Sequence, residues 1–201
     1  FSVVVNGQAG HSGTILMDQR ADALVASSEI ITFVNNLALR LSKESNQHFV
    51  STIGKIIVHP NAAAIIPGKV EMTIDLRASS KSSREQYITE LEKQINKMNQ
   101  SGPCKIKMKN IAFAPYVEMD KELVKLFKES SDDYGFSNII MDSGAGHDTA
   151  HLSRVAPASM IFVPCKDGLS HCPEDYAEVS DISKGTAVLF KMVEKLARSN
   201  Q

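Results

Sequence analysis

The 201 residues carry 22 lysines and arginines against 23 aspartates and glutamates, a formal charge of -1, with 43% hydrophobic residues. That apolar content can bury a core and argues against disorder. The charges are scattered singly, with no basic stripe to hold phosphates and no polybasic patch for a membrane surface, so neither nucleic acid nor membrane is an expected partner. Apolar runs such as "ASMIFVPC" fall far short of the about 20 residues that span a bilayer.

Residues 1–6 alternate as a strand, and 7–16 form a glycine-rich loop with glycines at 7, 10 and 13 around His11. From about Met17 to Leu41 the set Leu24, Ala26, Ile30, Ile31, Val34, Leu37, Leu41 recurs at three and four, which predicts a long amphipathic helix. The β-rich stretches 49–58 and 69–78, divided by "HPNAAAIIPG", predict an antiparallel pair. A second helix follows in "SSREQYITELEKQINKMN", with Tyr87, Leu91, Ile95 and Met98 on one face and Ser82 or Ser83 as its cap. "CKIKMKNIAFAP" then alternates as a strand. The order β-α-β-β-α-β over residues 1–115 is that of a ferredoxin-like layer, helices on one face of an antiparallel sheet.

After Pro115 the pattern becomes helix (about 119–133), a short strand at 138–141, a glycine-rich turn, a short helix, a strand in "ASMIFVP", a loop and a final helix at about 181–198. This alternation predicts a parallel or mixed α/β sheet, but with too few elements to close its own core. The chain also starts on Phe1 and enters a strand without lead-in. Residues 116–201 therefore read as the tail of a larger α/β domain. Cys104, Cys165 and Cys172 are odd in number and irregular in spacing, which argues for a reducing compartment, the cytoplasm by default.

Several groups could carry chemistry. His147 and His151 in "SGAGHDTAH" have the i, i+4 spacing of a helical metal pair, or serve ordinary capping and surface roles. His171 in "CKDGLSHCPEDY" follows a buried strand, where α/β sheets place ligands, or is a solvated loop residue; Cys165 and Cys172 beside it lack zinc-knuckle spacing. "GHSG" is no G-x-S-x-G elbow, which argues against a serine nucleophile, and taken alone His11 reads as a loop histidine bonded to backbone. Arg77, at the end of "VEMTIDLR", could fork onto a substrate carboxylate or pair with Asp75.

Together these stretches resemble the M20 metallopeptidase superfamily, in its branch of N-carbamoyl-L-amino acid hydrolases, allantoate amidohydrolases and β-ureidopropionases. "GQAGHSGTILMDQRADALVASSEII" is similar to that branch's lid motif, "HPNAAAIIPGKVEMTIDLR" to its Asn-x-Ile-Pro-Gly strand pair ending in Asp-x-Arg, and "MDSGAGHDTAHLSRVAPASMIFVPCKDGLSHCPEDY" to its C-terminal signature. The resemblance implies a lid and dimerisation domain over 1–115 and the C-terminal part of a zinc-peptidase-like catalytic domain over 116–201. It implies His171 as a ligand of a two-metal site, zinc or manganese, and His11 as the lid histidine that polarises the scissile carbonyl, commonly in the partner subunit's site. It makes Arg77 the grip on the substrate carboxylate. The implied reaction is metal-dependent hydrolysis of a ureido C–N bond in an N-carbamoyl amino acid or allantoate, releasing ammonia and carbon dioxide, in a homodimer.

Two departures stand beside it. The family's Asn thirteen residues before that Arg is replaced by Ala64, with Asn61 three positions off register as the nearest substitute for substrate binding. A lost carboxamide costs about 1–3 kcal/mol if its partner is left unpaired. The remaining metal ligands and the general base belong to a first half outside these residues, so the fragment would bind few or no metals alone. A non-catalytic lid and dimerisation module, or an aminoacylase or dipeptidase of the same superfamily, are the alternatives.

Overall fold

The structure, a computed structural model, describes residues 1–45 and 47–199. It divides into two units, Phe1–Tyr116 and Val117–Gln201. The first contains β1 (Ser2–Asn6), β2 (Gly10–His11), α1 (Ala23–Glu44), β3 (Phe49–His59), β4 (Ile65–Ile66), β5 (Lys69–Ala78), α2 (Lys81–Ser101) and β6 (Lys105–Lys109).

Four strands form one sheet in the order β3-β5-β1-β6, every neighbouring pair antiparallel. This is the ferredoxin-like order that the β-α-β-β-α-β reading predicts. Alternation decides which face is buried: Val3 and Val5 on β1, Val70, Met72 and Ile74 on β5, and Ile106 on β6 all turn to the helix side. Ile30, Val34, Leu37 and Leu41 of α1 and Tyr87, Leu91, Ile95 and Met98 of α2 cover them in one cluster. Helix α1 is long and apolar enough to cross a membrane by length and composition, but this stripe is committed to the core.

Three boundaries differ from the sequence reading. The first helix starts at Ala23 instead of Met17, because Asp22 accepts from the amides of Leu24 (2.9 Å) and Val25 (3.2 Å) and Arg20 is extended. Met17–Gln19 is a separate short 3₁₀ turn. Helix α2 is capped by Ser80, through the Ser83 amide, and not by Ser82 or Ser83. Strand β6 stops at Lys109, where its pairing with Ser2 at the end of β1 stops, so 110–115 carry no strand.

The second unit contains α3 (Lys121–Asp133), α4 (Thr149–Leu152) and α5 (Val179–Ser199). Helices α3 and α5 pack together, with Ser130, Ser131, Val188 and Met192 buried and a 3.0 Å ion pair between Lys195 and Asp133. A Cβ at Gly185 would press on Val163, so glycine permits that approach to α5. The strands expected at 138–141 and 158–164 do not form among the described residues, nor does the parallel or mixed sheet. A strand exists only against a neighbour's backbone ladder: Ile139 is 80% exposed and Ile140 70%, and a single contact, the Asp120 amide on the Ala158 carbonyl at 2.9 Å, makes no ladder for 158–164.

Tyr87 is fully buried with its hydroxyl 2.7 Å from Ser51 Oγ. Burial pushes its ionisation above the usual tyrosine value, with the Ser51 hydrogen bond opposing. A folded value raised above the unfolded one, about 10, leaves stability intact below about pH 10 and removes it as pH rises through the folded value. Tyr87→Phe should therefore flatten the alkaline fall in the urea midpoint of the chain, and an unchanged slope would contradict this.

Candidate active site

His11 owes its place to backbone pairing that continues past the end of the main sheet. Asn6 pairs with Lys69 as the last register of β1 and β5. The Gly7 amide then donates to the Gly68 carbonyl at 2.8 Å, Gly10 pairs with Ile66, His11 with Ile65, and the Ser12 amide donates to the Ala64 carbonyl at 2.9 Å. Four residues advance the chain from Asn6 to Gly10 while three separate Lys69 from Ile66, so the outgoing strand carries one extra residue. An insertion of one reverses the inside-outside alternation. Val5 faces the helices, but His11 shares an exposed face with Ile65 while Ile66, opposite Gly10, is buried.

The expectation of an irregular 7–16 loop is thus corrected: its middle is a short ribbon, set by a non-local partner. The glycines do not supply left-handed backbone, which among described glycines occurs only at Gly135 and Gly168. They permit close approach. A Cβ at Gly7 would collide with the Ala21 carbonyl, and one at Gly13 would press on the His11 ring.

That contact at Gly13 has a chemical effect. Its amide donates to His11 Nδ1 at 3.0 Å. A ring nitrogen that accepts carries no proton, so the neutral imidazole holds its proton on Nε2. The ring is exposed, and its Nε2–H is a donor suited to a carbonyl oxygen. Sequence reasoning missed the residue that braces this loop: Arg20 donates from Nη2 to the carbonyls of Ser12 (2.6 Å) and Ile15 (2.9 Å) and from Nε to Ile15 (3.1 Å). Its signal was an arginine just ahead of the Asp22 cap, hidden because the stretch also fits a helical period.

Arg77 lies on the open face of β5, away from the helices, and pairs with Asp75 two residues earlier (Nη2 to Oδ2 2.8 Å, Nε to Oδ2 3.1 Å). Asp75 holds the guanidinium above its usual range. Of the two roles open to Arg77, the carboxylate pair is present, and half-exposure of both side chains leaves the fork reachable. Along β5 eight residues separate Lys69 from Arg77, about 26 Å of strand, and His11 lies beyond the Lys69 end. The two candidates therefore occupy opposite ends of this unit. Asn61 sits between β3 and β4, at the His11 end, in an exposed turn with φ 58°, a conformation that asparagine tolerates, while Ala64 is directly across from Ser12.

In the second unit, His171 is exposed at the tip of a loop closed by the Lys166 amide on the Tyr176 carbonyl (2.7 Å). Its φ is 58° and its amide donates to Asp175 Oδ2 at 3.3 Å. Asp167, earlier in the same loop, is also left-handed, at φ 55°, a region that Asn, Asp and His enter more often than other non-glycine residues. His147 precedes α4, with Nε2 2.8 Å from Ser143 Oγ and its ring against Phe162, so it is engaged elsewhere than in a pair with His151. Among the described residues no three His, Cys, Asp or Glu side chains cluster to hold a metal. These residues do not by themselves fit a two-metal centre.

Comparison with known proteins agrees with this architecture. The model of peptidase family M20/M25/M40 matches residues 9–195. The N-carbamoyl-L-amino-acid amidohydrolase of Pseudomonas sp. (strain NS671) is 35% identical over 196 residues, covering 97% of this chain and 46% of that protein. The allantoate amidohydrolase of Bacillus subtilis (strain 168) is 36% identical over 202 residues, 98% of this chain and 47% of that protein. Among solved structures, an amidase of the hydantoinase/carbamoylase family from Burkholderia multivorans superposes with a TM-score of 0.86 at 31% identity, covering 95% of this chain and 46% of its own. The chain spans about half the length of the curated relatives it matches. By sequence and by fold, the chain belongs to peptidase family M20/M25/M40.

Proposed function

We propose that these residues form the lid and part of the catalytic domain of a metal-dependent amidohydrolase that cleaves the C–N bond of N-carbamoyl amino acids or allantoate, giving ammonia and carbon dioxide. The names of the relatives support that substrate class. The observation that carries the reading is the Gly13 amide on His11 Nδ1, which leaves a donor on the exposed Nε2. Residues 1–115 are the lid in this reading, and 116–201 bring His171 to the metals as one ligand.

As the ureido carbonyl is attacked its oxygen gains negative charge, and a donor already aimed at that oxygen stabilises the transition state more than the substrate. His11 supplies the donor. Arg77 holds the substrate carboxylate by two parallel hydrogen bonds, exchanging Asp75 for it. Two divalent ions, zinc or manganese, would activate the attacking water; their remaining ligands lie outside the described residues. A ureido acid is far shorter than β5, so it cannot touch His11 and Arg77 of one chain at once. The reading therefore has His11 enter the site of a second copy, in a homodimer built through the lid. Three free cysteines, with Cys104 buried, favour the cytoplasm.

In the enzyme carrying this chain, His11→Ala should lower kcat by about 10²–10³ with KM little changed. Release of ammonia from N-carbamoyl amino acids or allantoate, against cleavage of dipeptides, measures it and separates this reading from an aminoacylase or dipeptidase. Unchanged kcat would remove His11 from the mechanism. His171→Ala should lower the bound metal per subunit in elemental analysis, and full occupancy would refute its role as a ligand.

A further inference from the structure

Arg20 is joined to rigid structure on one side and to the His11 turn on the other. After it, Ala21 accepts from the Gln8 amide (2.8 Å), Asp22 caps α1, and the buried Ala23 donates to the Pro67 carbonyl (3.0 Å). Ahead of it, the guanidinium reaches over the turn that follows His11 and grips the carbonyls of Ser12 and Ile15, on either side of Gly13 and Thr14. The turn has weak internal support: the Thr14 and Ile15 amides reach the His11 carbonyl only at 3.3 and 3.4 Å. Without the brace, the ribbon still holds His11 and Ser12, through Ile65 and the Ala64 carbonyl, but only these long bonds hold the turn from Gly13 to Ile15.

We propose that Arg20 is a positioning residue for His11, fixing the 12–15 turn so that the Gly13 amide keeps the imidazole proton on Nε2 and the ring in one orientation. The inference rests on the catalytic reading of His11 for its functional consequence, though not for its structural one. The geometry asks for arginine. Its planar fork bridges two carbonyls at once, whereas a lysine ammonium is a point charge that cannot hold both in one plane.

Two measurements test it. In the 201-residue chain labelled uniformly with ¹⁵N, long-range proton–nitrogen spectra of the wild type should show His11 Nδ1 unprotonated and Nε2 protonated when neutral. Arg20→Met should mix the tautomers and speed Gly13 amide exchange about tenfold or more, with resonances of Val70 and Ile74 unmoved. Arg20→Lys should fall between. In the intact enzyme Arg20→Met should lower kcat about ten- to hundredfold with KM within about twofold, and that loss should vanish in a His11→Ala background. Wild-type tautomer and Gly13 protection in Arg20→Met would overturn the proposal, as would an undiminished effect of Arg20→Met when His11 is already alanine. If the ring signals change while His11→Ala alone leaves kcat intact, positioning stands and the catalytic reading of His11 falls.

Discussion

Pairing between β1 and β5 does not stop where the sheet stops. It runs on through Gly7 and Gly68 into the ribbon of Gly10–His11 against Ile65–Ile66, with one residue more on the outgoing side than on the returning side. That extra residue turns His11 away from the helix-covered face, on which Val3 and Val5 lie, and toward solvent. The core holds the two long strands in register, the register places the ribbon, and the ribbon presents the imidazole. The imidazole thereby takes its placement from a packed sheet.

The parts of this fold that were legible in the sequence are those with a long period. The stripe of Ile30, Val34, Leu37 and Leu41 and the alternation of Val70, Met72 and Ile74 each repeat often enough to identify their element, and with them the antiparallel layer. The ribbon could not be read this way, because two residues carry no period and their partner lies more than fifty residues away. The strands expected at 138–141 and 158–164 failed for the complementary reason. Their composition is β-like, but strand formation depends on a neighbouring backbone, and Ile139 and Ile140 stay in solvent without one.

The site was legible in a different sense. His11, Arg77 and His171 came from motif resemblance, which names residues but not what holds them. The Asp75 pair of Arg77 was one of two roles the spacing left open, whereas the Gly13 amide on His11 Nδ1 and the left-handed backbone of His171 are visible only in the geometry. Arg20 is the instructive case: the letter stood in plain view, but its hydrogen bonds run to backbone carbonyls, which leave no mark on side-chain patterning.

In the proposed dimer one substrate meets His11 of one copy and Arg77 of another, since the length of β5 keeps the two apart within a chain. Mixing enzyme bearing His11→Ala with enzyme bearing Arg77→Ala, under conditions that exchange subunits, tests it most directly. Random pairing makes half the dimers hybrid, each with one intact site, so the mixture should recover about a quarter of wild-type activity from two nearly inactive parents. A mixture no more active than its parents would contradict the account.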